Sequence, residues 1–154
     1  MYTTIPEIIE TTLTEQELIH LLNDANRDIE DIDLDDPTDP IVVKATRCIN
    51  KGDDLINAYL RTRYTIPITG TIPGLIKSLS QDFAIYHFHE VRHKKDMPED
   101  LVIKYKDNMK VLNGIQKGEV NPGLEGQVDQ SDVIIKTNAK GKPKIFTDDV
   151  LNKF

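Results

Sequence analysis

Apolar residues return at helical spacing in four stretches of the chain, and capping residues or prolines open each one. Thr14-Glu15-Gln16-Glu17 is a capping box ahead of Leu18, Ile19, Leu21 and Leu22, which predicts a short helix from Glu15 to about Asn23. A weaker turn precedes it around Pro6 to Glu10. Asp39-Pro40 is an N-cap followed by proline at the first helical position. Ile41, Ala45, Ile49, Ile56, Tyr59 and Leu60 then carry a helix to about Arg63, with Gly52 as a soft spot that allows a neighbour to pack closely. A third helix, from about Pro73 to His93, holds Leu75, Ile76, Leu79, Phe83, Ile85, Tyr86 and Val91. It is the most apolar of the four and is expected at the centre of the core. Met97-Pro98-Glu99-Asp100 opens the fourth, whose stripe is Leu101, Tyr105, Met109, Leu112 and Ile115, with Gly118 as its C′ residue.

Between these helices the pattern breaks. Residues 24–39 carry eight acids against one base, Arg27, and read as a solvated loop. Thr65 to Pro73 is a loop punctuated by Pro67, Gly70 and Pro73. After Asn121-Pro122-Gly123 come two β-prone runs, Val133-Ile134-Ile135-Lys136 and Lys144-Ile145-Phe146-Thr147, joined by a lysine-bearing turn. The expectation is a mainly α chain: a compact four-helix bundle over residues 1–120, then a C-terminal arm over 121–154 that pairs as a short hairpin. A lone hairpin is marginal in water, so the arm is expected to pair with its own domain, another copy or a partner.

Composition narrows the function. A net charge of −7 argues against a general nucleic-acid-binding face, although an acidic lining would let a duplex slide through a ring without gripping it. No apolar run approaches the ~20 residues of a membrane span, and the N-terminus lacks a secretion signal's basic and apolar regions. The single cysteine, Cys48, excludes an internal disulfide, fits a reducing compartment, and is read as a small core residue.

Three candidate sites follow. His89-Glu90-Val91-Arg92-His93 spells H-E-x-x-H, in which two histidines on one helix face hold zinc and the glutamate acts as general base. His87 adds an imidazole nearby, yet no Gly-x-x-His continuation or preceding strands complete a zinc protease. A small zinc-dependent hydrolase is thus the alternative function. Asp24, Asn26 and Asp28 match the first ligand positions of a calcium loop, which Ile29, Asp31 and Asp35 then break; a divalent-sensing module is a further alternative. Arg61, Arg63, Arg92, Lys94 and Lys95 near helix ends either complement helix dipoles or form an interface to an acidic partner or DNA. In the arm, Lys142, Lys144, Ile145, Phe146 and Phe154 are interface candidates. No glycine-rich phosphate loop and no convincing nucleophile set appears, so nothing argues for an enzyme or a cofactor.

The chain also resembles the Mu-type phage head–tail connector family. The resemblance lies in Tyr2 and the capped helix after Thr14, the aspartate-rich loop, and Tyr59-Leu60-x-x-Arg63-Tyr64-x-x-Pro67. It continues in Asp82-Phe83-Ala84-Ile85-Tyr86, Pro98-Glu99-x-Leu101 and the closing Ile145-Phe146-Thr147-Asp148-Asp149-x-Leu151-x-x-Phe154. Against the family, H-E-x-x-H is a local variation where arginines and aromatics are usual. The resemblance implies a mostly α adaptor, made in the bacterial cytoplasm and placed in the virion neck. There about twelve copies would form a ring. Its partners would be the portal protein, the next neck or tail-completion protein, and DNA passing without sequence-specific binding. It implies no membrane and no cofactor.

Overall fold

The computed structural model describes residues 1–93 and 96–124. Five α-helices account for most of them: α1 (Ile5–Thr11), α2 (Glu15–Leu22), α3 (Pro40–Leu60), α4 (Gly74–His93) and α5 (Glu99–Lys117), with one 3₁₀ turn at Ile29–Asp31. The mainly α expectation holds. The four expected helices are present, each within a few residues of its predicted ends. The predicted arm hairpin lies outside the described residues.

The expected turn near Pro6 is instead the helix α1. Its start is organised by Glu7, whose carboxylate accepts from the Thr4 amide at 3.0 Å and the Thr3 hydroxyl at 3.2 Å. Thr4-x-x-Glu7 has the spacing of Thr14-x-x-Glu17, so the same capping signal was present twice. Glu7 also binds Lys77 at 2.6 Å, which ties α1 to α4.

Helices α3 and α4 form an antiparallel hairpin, and its two halves anchor two apolar clusters. One joins α1 and α2 to Ile41, Ala45, Cys48 and Ile49 of α3 and to Ala84, Ile85 and Phe88 of α4. The other joins Tyr2 and α5 to Ile56 and Leu60 of α3 and to Ile76, Leu79 and Phe83 of α4. Cys48 is buried and free, as its apolar surroundings predicted. Tyr105 of α5 meets Phe83 edge-on at 5.4 Å and Tyr86 at 4.2 Å. Beside them Asp82 receives Lys104 at 2.7 Å and Asn108 at 3.0 Å.

Between the two clusters α3 and α4 approach each other closely, at Gly52 and Phe83. A β-carbon on Gly52 would lie 2.9 Å from Cβ of Phe83, so only glycine permits this approach. Next to it Asp53, 4% exposed, accepts from the Tyr2 amide at 2.7 Å and the Ser80 hydroxyl at 2.5 Å. The Tyr2 hydroxyl donates to Asn57, one turn further along α3. A buried carboxylate needs such donors to offset its lost hydration.

The close approach generates a paired prediction. Gly52→Ala gains about 1 kcal/mol of helix propensity but forces the hairpin apart, at a cost of about 1–3 kcal/mol, so the variant does not gain stability and loses up to about 2 kcal/mol. Gly74→Ala, where nothing lies within 4 Å of the added carbon, is neutral or mildly stabilising. Urea midpoints of the two variants against the parent decide; equal shifts would show that the crossing tolerates a side chain.

Candidate functional site

His89 and His93 lie on the last turns of α4, rings stacked with centroids 5.5 Å apart and planes within 16°. They face α2 across a cleft of about 530 Å³ that Leu13, Glu17, His20 and Leu21 also line. Burial, with the like-charging His93 beside it, pushes the His89 pKa below the ordinary imidazole range.

Glu90 does not join them. Its carboxylate binds Lys51 of α3 at 2.7 Å and Nδ1 of His87 at 3.0 Å. The Lys51 hydrogen bond, opposed by desolvation and aided by His87, holds this carboxyl below the usual range. His87, 4% exposed, has its pKa lowered by burial, with the Glu90 hydrogen bond partly opposing. The glutamate that a zinc hydrolase needs as general base is thus fixed in an α3–α4 ion pair. Among the described residues no group of three histidine, cysteine or carboxylate side chains is arranged to hold a metal ion. The H-E-x-x-H spacing is present, and its catalytic geometry is not.

The acidic loop is organised by Arg27 within it and by Lys44 of α3. Asp24 pairs with Lys44 of α3, and that hydrogen bond draws its pKa down. The Asn23 side chain brackets Arg27, accepting from its amide at 2.9 Å and donating to its carbonyl at 2.8 Å. Asn26 takes the left-handed conformation at φ 49°. Arg27 then reaches Asp39 at 3.0 Å and donates to the Asp31 carbonyl. Asp39 caps α3 through the Ile41 amide at 2.8 Å, which with Arg27 keeps its carboxyl below the usual range. Ile32 and Leu34 turn inward onto the core. Asp24, Asn26 and Asp28 therefore sit on a loop closed by an arginine, with Asp28 exposed, and do not converge as calcium ligands.

The basic residues do not form one patch. Because α3 and α4 run antiparallel, Arg61 and Arg63 at the end of α3 lie at the opposite end of the hairpin from Arg92. Arg61 and Arg92 are exposed. Arg63 folds back over the end of α5, where Nη1 donates to the Lys117 carbonyl at 3.4 Å. Gly118 there has φ 81°, and a β-carbon on it would collide with the guanidinium. The positive charge thus meets the negative end of α5's dipole. Tyr64 and Leu60 are buried beside it, and Ile66–Pro67 is a cis peptide. The Tyr59–Pro67 signature is in this respect a fastening between α3 and α5. Lys94, Lys95, Lys142, Lys144, Ile145, Phe146 and Phe154 lie outside the described residues. Sequence reading missed the roles of Lys51, Lys44 and Asp53, because no local spacing marks a partner on another helix.

The His87 geometry gives a pH prediction. The folded chain holds this imidazole neutral to lower pH than the unfolded chain, where it protonates near 6.5. Protons therefore favour unfolding: the contribution is present above that value and is lost as pH falls towards the lower folded pKa. His87→Gln should reduce the fall in urea midpoint between about pH 7.5 and about pH 5, leaving a remainder from His89. An unchanged fall would show that His87 is not the group responsible.

Among the described residues no helix is long and apolar enough to cross a membrane. No curated protein matches the chain. A family model does, over residues 2–134, so the match opens at Tyr2, spans all five helices and stops short of the closing Ile145–Phe154 motif. A match over that much of the chain establishes that it belongs to the bacteriophage Mu Gp36 family.

Proposed function

We propose that this protein is a structural component of the phage particle, a head–tail connector that forms a ring between portal and tail. The observation that carries the reading is membership of the Mu Gp36 family across the whole helical body. The role is mechanical. Copies associate side by side in a closed ring, one face meets the portal, and the other meets the next neck or tail-completion protein.

Two features of the chain support this reading. The protein carries a net charge of −7, and Asp28, Glu30, Asp31, Asp33 and Asp35 are all exposed on one loop. Carboxylates repel the phosphate backbone, so a bore lined by them passes DNA without holding it. In addition, the chemically suggestive groups are engaged in the fold: Glu90 by Lys51 and His87, Asp24 by Lys44, and Arg63 by the end of α5. A connector needs rigidity more than it needs free nucleophiles or bases.

Quantitative mass spectrometry of purified particles, scaled to the portal protein, tests the proposal. The connector reading expects about one copy per portal copy. Absence of the protein from complete particles would refute it.

A further inference from the structure

The cleft between α2 and the end of α4 holds a donor pair that a connector does not need. His89 and His93 stand one helical turn apart on α4, the i, i+4 spacing from which two imidazoles can share one ion once the rings turn out of their stacked arrangement, 5.5 Å between centroids. His20 of α2 lines the same cleft. Nδ1 of His89 is shielded from solvent and has no hydrogen-bond partner. Glu17, a carboxylate that lines the cleft, is engaged by the Thr14 amide at 2.8 Å and its hydroxyl at 2.9 Å.

We propose that His89 and His93 form a two-imidazole site for a transition-metal divalent ion such as Zn²⁺ or Ni²⁺. Imidazole nitrogen suits these ions, whereas Ca²⁺ and Mg²⁺ want oxygen cages that this cleft does not offer. No third protein ligand converges among the described residues, so water fills the remaining positions. Such a site binds without hydrolysing, since Glu90 is held away by Lys51 and His87. Its structural effect is to fasten the last turn of α4.

The test is isothermal titration of the full chain, purified without a polyhistidine tag and freed of metal with chelator, against ZnCl₂, NiCl₂ and CaCl₂. The site predicts about one Zn²⁺ or Ni²⁺ per chain and no Ca²⁺ binding at the same concentrations. His93 is exposed, so His93→Ala should keep its far-UV circular dichroism while losing affinity about tenfold or more, about 1.4 kcal/mol per tenfold. His20→Ala should leave affinity nearly unchanged. Absence of Zn²⁺ and Ni²⁺ binding at millimolar metal, or undiminished binding by His93→Ala, would overturn the proposal. A loss in His20→Ala as large as in His93→Ala would overturn its two-ligand form.

Discussion

The close approach of α3 and α4 at Gly52 and Phe83 is the constraint on which the rest of the fold depends. With hydrogen alone at Gly52 the two longest helices meet backbone to side-chain base. The adjacent Asp53 is then deep enough to need donors from outside its helix, and Tyr2 and Ser80 supply them. One crossing therefore fixes the hairpin, fixes the N-terminal segment against it, and divides the apolar interior into two clusters. Helices α1 and α2 pack on one side of that division and the buried residues of α5 on the other, while Leu101 at the start of α5 reaches the first cluster.

Each side is then closed by charge at a distance in sequence. At one end Arg63 covers the terminus of α5, and at the other Lys44 and Arg27 hold the acidic loop against the start of α3. Lys51 and Glu90 join the hairpin's helices between them, with His87 buried behind. These partly exposed pairs are individually modest in energy, and their effect is to set geometry. They decide which side chains face the solvent and which are occupied.

That division also explains what could be read in advance. The helices were legible because capping boxes, Asp39-Pro40 and Gly118 are local signals, and the apolar stripes select the packed faces. Helix α1 was underestimated although Thr4-x-x-Glu7 marked its start; the stretch is so short that its apolar pattern alone does not declare a helix. The site was less legible. H-E-x-x-H specifies spacing along one helix, while the fate of Glu90 is decided by Lys51, 39 residues earlier. The Asp24-x-Asn26-x-Asp28 pattern likewise takes its meaning from Lys44 and Asp39, and Arg63 from a carbonyl 54 residues away. Motif spacing reports what a segment offers, and tertiary partners determine what remains available.

A small helical body with an exposed acidic loop and an occupied would-be catalytic glutamate fits the connector role proposed above. The connector account is tested most directly by electron microscopy of lysates from a phage carrying an early stop codon in this gene. It predicts DNA-filled heads and finished tails that remain separate, and joining restored when purified protein is added. Complete tailed particles formed without the protein would contradict it.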